Sequence, residues 1–157
     1  MPTFEQSIII SAEPMALFRL TQDYDHRLDW DPFLKEARLV GGANAAGLGV
    51  RALCVARNGM AMETEYVSFK PPKVVAVKMT RGPALISAFA GSWRFQPHAE
   101  ATTRVIFRYH IAANPPWLGF VLDPILKRVF AHDVLKRLVA LKHTAEQTDL
   151  LLRLAYA

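Results

Sequence analysis

Apolar residues recur at intervals of three and four near the carboxyl end of the chain. Phe130, Val134, Leu138, Leu141 and Ala145 fall on one stripe of a 3.6-residue helix, so this spacing predicts a long helix with one buried side. The remaining positions include polar residues that we expect to face solvent: His132, Lys136, Lys142, His143 and Glu146.

The pair Asp123-Pro124 is predicted to open this helix. Asp123 can cap the free amides of the first turn, and proline is tolerated there because its missing N–H has no partner within the helix. The last residues, 150–157, are unusually apolar for a terminus. They are expected either to pack on their own domain or to join two copies in a homo-oligomer.

Upstream of the helix, alternating and β-branched residues predict a series of strands. Asn58-Gly59 is typical of a tight hairpin, and other turn residues separate the remaining segments. Because consecutive hairpins pair neighbouring strands, we expect an antiparallel sheet. The predicted strands in this region span residues 35–40, 50–57, 61–70, 74–80, 86–96 and 102–112.

The amino-terminal region predicts one more strand and two short helices. Residues 4–10 alternate, and their apolar end, Ile8-Ile9-Ile10, favours a strand buried on both sides. Ser11 is expected to cap a helix that ends near Thr21, and residues 23–33 should form one or two helical turns. The prediction is therefore an α+β fold with about seven strands.

Composition limits the class of protein. The 157 residues are 52% hydrophobic, which is sufficient for one domain, 1–157, with a substantial core. Apolar stretches end well short of the roughly 18–20 residues that span a membrane, and the amino terminus does not read as a secretion signal. We therefore expect a cytoplasmic protein without a transmembrane segment.

The charge is +5, which favours acidic partners such as nucleic acid or ribosomes. However, the basic residues of the last helix also fit an ordinary solvated face. These residues are Lys127, Arg128, Lys136, Arg137 and Lys142.

No motif assigns a catalytic residue, a cofactor or a metal. Cys54 is the only cysteine and lies in an apolar strand-like run, so a buried, inert thiol is expected. The five histidines are scattered, which predicts no metal-ligand set, and the serines lie in ordinary strand contexts that argue against hydrolysis. The sequence therefore leaves the catalytic residues unassigned.

Several segments carry a family resemblance. They are residues 8–18, Asp23-Tyr24 with Trp30-Asp31-Pro32-Phe33, Gly91-Ser92-Trp93-Arg94-Phe95, residues 103–107, and Leu138 with Leu141-Lys142. Together they resemble the START-like (SRPBCC) superfamily, particularly its polyketide cyclase and lipid-transport branch, over residues 4–147. The resemblance implies a helix-grip fold, a curved antiparallel sheet wrapped around a long carboxyl-terminal helix. Its motifs are structural, so they imply architecture rather than chemistry.

A helix laid on a large curved sheet leaves part of the sheet uncovered, so we expect an internal apolar cavity of a few hundred cubic ångströms. The predicted ligand-binding residues are Trp30, Phe33, Glu65, Tyr66, Met79, Trp93, Phe95, Phe107, Tyr109, Phe130, Val134 and Leu138.

Three functions fit these observations. The first is binding or transport of a hydrophobic small molecule, such as a lipid, an isoprenoid quinone or an aromatic or polyketide-like metabolite. The second is a cyclase, aromatase or dehydratase that uses the same cavity. Its acid/base candidates are Glu63, Glu65, Tyr66, Arg81 and Tyr109, although two carboxylates spaced by two on a strand usually face solvent. The third is RNA or ribosome binding through the basic side of the last helix.

Overall fold

The computed structural model describes residues 3–155, with side chains through Arg153. Its strands are β1 (Phe4–Ile10), β2 (Leu34–Val40), β3 (Arg51–Ala56), β4 (Ala61–Lys70), β5 (Val74–Arg81), β6 (Ile86–Pro97) and β7 (Thr103–Ala113). Its helices are α1 (Pro14–Gln22), α2 (Arg27–Trp30), α3 (Gly119–Gln147) and α4 (Leu150–Ala155), with a short 3₁₀ turn at Pro116–Leu118.

The seven strands form one antiparallel sheet in the order β1-β7-β6-β5-β4-β3-β2. The predicted meander is confirmed, since every pair from β2 to β7 is consecutive in sequence. β1 returns to pair with β7 in register from Phe4 opposite Tyr109 to Ile10 opposite Thr103. The result is the helix-grip arrangement, with α3 as the long carboxyl-terminal helix.

Alternation in β7 explains which face of the sheet is covered. Val105, Phe107 and Tyr109 are buried on one face of the strand, whereas Arg104 and Arg108 on the other face are exposed; Ile106, on the arginine face, is also buried. A strand directs successive side chains to opposite faces, so one face of β7 is apolar core and the other meets solvent. The buried face packs against α3, which lies over β1 and β7.

The predicted seam of α3 is confirmed. Val134, Leu138 and Leu141 are buried, and Phe130 and Ala145 are half-buried against the same core. The opposite side is less polar than expected, because large apolar side chains alternate there with exposed His132 and Lys136. Those exposed apolar residues are Val121, Ile125, Leu135 and Val139.

The predicted start of this helix at Asp123-Pro124 is wrong. Helix α3 begins at Gly119, directly after the 3₁₀ turn that Pro116 opens, so Pro116 holds the first-turn position that the sequence suggested for Pro124. Pro124 lies inside the helix, and Asp123 accepts a hydrogen bond from the Ala113 amide at 3.0 Å. Asp123 therefore ties α3 to the end of β7 instead of capping a helix.

Two further local predictions fail near the amino terminus. Ser11 does not cap α1, because that helix begins at Pro14 and its N-cap residue is Glu13, which makes no side-chain cap bond. The Ser11 amide instead donates a hydrogen bond to Glu146 Oε2 on α3, at 2.9 Å. Ile9 is 37% exposed because β1 is an edge strand covered by α3 on one face only.

The apolar tail forms the separate helix α4 up to residue 155, and residues 156–157 lie outside the described part. Leu150 is buried and α4 contacts α1, whereas Leu152 is exposed. The tail therefore packs at least partly on its own chain. Its predicted role in a homo-oligomer remains a prediction.

Candidate ligand cavity

A cavity of about 210 Å³ lies between α3 and strands β3 to β7. It exists because α3 packs on β1 and β7 and so leaves the facing surface of the middle strands partly uncovered. Most of its wall is apolar, including Met62 on β4, Val77 on β5 and Phe89 on β6. An apolar cavity of about 150 Å³ is large enough to admit benzene. The space is therefore sufficient for a ring or a short chain.

Five of the predicted binding residues meet at this cavity. Phe33 follows α2, and Phe130 comes from the amino-terminal half of α3. Tyr66, Trp93 and Phe107 come from three different strands of the sheet. Alternation brings them to the same face, although they are far apart in sequence.

Five others belong to the core behind the cavity wall. Trp30 packs edge-on against Trp93 with ring centroids 6.3 Å apart, and Phe95 stacks on Trp93 at the same distance. Tyr109, Val134 and Leu138 are also buried in the main core. The structure therefore places these five residues in the packed core and not on the cavity wall, contrary to the prediction that they line it.

Glu65 and Met79 are also absent from the wall. On β4 the residues that face the cavity are Met62, Thr64 and Tyr66, so alternation places Glu65 on the opposite face, as it does Glu63. Met79 is at the far end of β5, where its sulfur fills the space beside Gly82. Both residues are corrected: neither lines the cavity.

The sequence reasoning missed a buried ionic cluster at the inner end of the cavity. Asp31 Oδ2 lies 2.9 Å from Arg27 Nε and 2.9 Å from Arg137 Nη2. Asp31 is 1% exposed and Arg27 is 5% exposed, and both arginines line the cavity. The Arg27 Nη1 atom also donates to the Thr21 carbonyl at 2.9 Å. The cluster joins α1, α2 and α3 at one point.

Opposite charges keep this cluster ionised. Burial opposes the charged form of Asp31, but the neighbouring Arg137 and Arg27 charges outweigh it and lower the pKa of the carboxyl group. Burial likewise opposes the charge on Arg27, yet Asp31 raises the pKa of that guanidinium above its ordinary value. Two guanidinium groups share the Asp31 carboxylate, so the cluster itself carries one excess positive charge.

A chain of neutral hydrogen bonds runs beside the cluster. The Tyr66 hydroxyl donates to Gln22 Oε1 at 2.6 Å and lies 3.1 Å from the Tyr24 hydroxyl. Because the single Tyr66 proton is used by Gln22, Tyr24 donates to Tyr66. Burial raises the pKa of both tyrosines, so both stay protonated at neutral pH.

Cys54 also lines the cavity, between the polar end and β4. Burial raises the pKa of its thiol, which keeps the sulfur protonated near neutral pH. In the part of the chain that the structure describes, no three histidine, cysteine or carboxylate side chains converge as metal ligands. No helix within residues 3–155 is long and apolar enough to cross a membrane.

One sequence signal could have revealed the cluster. Arg27 and Asp31 are four residues apart, the spacing of neighbours on a helix, within the tryptophan-containing segment. As a basic residue of the last helix, Arg137 is expected from its charge to face solvent. Yet it lies seven residues after Phe130 and four before Leu141, which places it on the seam side.

The geometry defines a helix-grip protein with an internal, mainly apolar cavity, and comparisons with known proteins agree. The profile of the polyketide cyclase/dehydrase and lipid transport family matches residues 1–146. The chain belongs to this family. A comparison with curated protein sequences finds no match.

Solved structures show the same fold. A START superfamily protein from Mycobacterium smegmatis is 12% identical, with a TM-score of 0.78 over 92% of this chain and 97% of that one. Zhui aromatase/cyclase from Streptomyces sp. R1128 is 14% identical, with a TM-score of 0.74 over 93% and 94% of the two chains. XoxI from Bacillus cereus is 15% identical, with a TM-score of 0.76 over 92% and 96%.

Proposed function

We propose that this protein binds a hydrophobic small molecule in the cavity under α3. The observation that carries the proposal is an apolar space of about 210 Å³ that the side chains around it leave unfilled. Folded cores are normally packed with few voids larger than a water molecule, so an unfilled apolar space of this size suits a ligand. Membership of the polyketide cyclase/dehydrase and lipid transport family supports the same reading.

The wall favours a compact ligand. Phe33, Trp93, Phe107 and Phe130 present aromatic surface to the cavity, and such surfaces pack well against a flat ring. A linear chain would have to fold back or extend through the mouth. Among the sequence-based alternatives, an aromatic or polyketide-like metabolite therefore fits better than a long-chain lipid or an isoprenoid quinone.

A cavity-filling substitution tests the proposal. Val77 on β5 faces the cavity between Tyr66 and Gly91 on the adjacent strands, so Val77→Phe would place a ring where the ligand should sit. Two uncharged probes, 2-naphthalenemethanol and 1-decanol, separate ring from chain. We expect calorimetry to show binding of the first to the wild type and at least about tenfold weaker binding to Val77→Phe.

Val139→Phe is the matched control, because it makes the same change on the exposed side of α3. It should bind both probes as the wild type does. If neither probe binds the wild type, or if Val77→Phe binds as tightly as Val139→Phe, the proposed function is wrong. Tighter binding of 1-decanol than of the naphthalene compound would instead favour a chain-like ligand.

Catalysis as a cyclase, aromatase or dehydratase is the second candidate. Asp133 favours it, because this carboxylate lines the cavity one helical turn from Arg137 and has no ion-pair partner among the described residues. A carboxylate there can accept a proton from a bound substrate while a guanidinium holds a carbonyl oxygen. Loss of turnover of a test polyketide in Asp133→Asn, with binding retained, would support catalysis.

The RNA-binding alternative has less support. The exposed side of α3 carries basic residues, but Val121, Ile125 and Val139 interrupt them along the same face. Nucleic-acid binding through phosphates depends on closely grouped positive charges.

A further inference from the structure

The inner end of the cavity holds guanidinium N–H groups without a protein acceptor. Arg27 uses Nε for Asp31 and Nη1 for the Thr21 carbonyl, which leaves Nη2. Arg137 uses Nε and Nη2 for Asp31, which leaves Nη1. Each guanidinium offers five N–H donors, so both have donors to spare.

These free donors are open to a small molecule. Among the described side chains, the polar atoms that are fully buried without a partner are Trp30 Nε1 and the Tyr109 hydroxyl. The free nitrogens of Arg27 and Arg137 are not fully buried, and both residues line the cavity. Their N–H groups therefore remain available to a group inside the cavity.

Aromatic packing fixes the direction of both guanidinium groups. The Arg27 Cζ atom lies 5.0 Å from the centre of the Trp30 ring, and Arg137 Cζ lies 5.3 Å from the centre of the Phe33 ring. Both groups also contact the same oxygen of Asp31. An arriving acceptor thus meets donors that are already oriented, which reduces the entropy lost on binding.

The excess charge selects the kind of acceptor. Two guanidinium groups face one Asp31 carboxylate in a low-dielectric site, where an added negative charge is stabilised more strongly than in water. Asp31 lies behind the cavity wall, and among the described residues Asp133 is the carboxylate that lines the cavity. Asp133 is outside ion-pair distance of either arginine, so it does not occupy their free N–H groups.

We propose that the ligand carries a carboxylate, which binds the free N–H groups of Arg27 and Arg137 while its apolar ring or short chain fills the rest of the cavity. This inference rests on the proposed function, because it names the class of molecule that the same cavity takes. The cluster then has two roles: it holds α2 against α3, and it recognises the acidic end of the ligand.

The test compares 2-naphthoate with 2-naphthalenemethanol, which have the same ring system and differ in the charged group. In the wild type we expect 2-naphthoate to bind at least about tenfold more tightly, because charge-assisted hydrogen bonds are stronger than neutral ones. In Arg137→Gln we expect its affinity to fall by about 10- to 100-fold, and that of the alcohol to change by less than about threefold.

Arg128→Gln is the matched control, since it removes the same charge from the exposed side of the same helix. It should leave the preference for 2-naphthoate intact. Arg137→Gln keeps the Arg27–Asp31 pair. If this variant nevertheless folds poorly, the comparison of the two probes in the wild type still tests the preference for a carboxylate.

Equal affinity of the wild type for 2-naphthoate and 2-naphthalenemethanol would overturn the inference. Equal losses of 2-naphthoate affinity in Arg137→Gln and Arg128→Gln would also overturn it. In both of those cases the alcohol still binds, and the proposed function survives. Failure of both compounds to bind would instead refute the proposed function itself, and the inference with it.

Discussion

Replacing Asp31 with Asn measures how much the buried cluster contributes to the free energy of unfolding. The Asp31 carboxylate is 1% exposed and is the shared counter-ion of Arg27 and Arg137. Among the described residues, neither arginine has another carboxylate within ion-pair distance, so the substitution leaves the buried Arg27 and the half-buried Arg137 without a counter-ion. Removing one partner of a buried ion pair costs about 3–5 kcal/mol, and we expect the free energy of unfolding to fall by that amount.

Urea unfolding at pH 7, followed by circular dichroism, measures this loss. For a chain of this size it corresponds to a fall in melting temperature of about 6–20 °C. Glu36→Gln is the control, because Glu36 Oε1 pairs with Arg38 Nε at a similar distance, 3.0 Å, with both side chains about half exposed. That exposed pair should contribute about 0–1 kcal/mol. A loss in Asp31→Asn no larger than the loss in Glu36→Gln would refute the reasoning.

The pH dependence of the stability difference between wild type and Asp31→Asn gives an independent check of the same prediction. Burial alone would raise the pKa of Asp31, but the Arg137 and Arg27 charges lower it in the folded protein. A group with a depressed folded pKa contributes stability above its unfolded pKa, about 3.9 for aspartate, and that stability is lost as the pH falls through the folded value. The difference between wild type and Asp31→Asn should therefore be constant near neutrality and narrow below about pH 4. A difference that does not narrow there would show that charge is not its source.

Two other outcomes follow from the burial of single side chains. Leu138 is fully buried between α3 and the sheet, so Leu138→Arg should prevent folding or abolish ligand binding. Lys136 is exposed, so Lys136→Ala should change the free energy of unfolding by less than about 0.5 kcal/mol. Thermal unfolding compares the two variants, and a larger loss of stability in Lys136→Ala than in Leu138→Arg would contradict the assigned faces of α3. Cys54 lines the cavity with a raised thiol pKa, so a thiol-specific chromogenic reagent should label it much more slowly in folded than in unfolded protein, and 2-naphthalenemethanol should slow it further. Labelling at the unfolded rate would show that the thiol is not enclosed.

Under the proposal made above, the buried cluster serves both structure and recognition. Arg27 and Arg137 hold three elements together through Asp31 and the Thr21 carbonyl, and their remaining N–H groups face the cavity. A site of this kind is rigid before the ligand arrives, because its geometry is fixed by folding. Small losses of affinity in variants near the cluster should therefore be accompanied by losses of stability.

The sequence by itself determined the elements and their order. The alternation of Val105, Phe107 and Tyr109 with Arg104 and Arg108 specified a half-covered strand, because the side-chain period of a strand is two. The three- and four-residue spacing of Val134, Leu138 and Leu141 specified the buried side of α3. Such patterns are local consequences of backbone geometry, so they can be read without knowing what each element contacts.

Local patterns were insufficient where an element's partner decides the outcome. Asp123 is a suitable helix cap, yet it binds the Ala113 amide because the end of β7 lies next to it. Ile9 lies in an apolar run typical of a fully buried strand, yet it is exposed because it is on the face of β1 that α3 does not cover.

The cavity was decided by tertiary structure alone. Sequence indicated that α3 would leave part of the sheet uncovered, but only the position of α3 over β1 and β7 determined that Phe33 and Phe130 line the space and that Leu138 fills the core. Arg137 contacts Asp31 across 106 positions of the chain. No periodicity reports a contact over that separation, because it depends on how two helices meet after the sheet has formed.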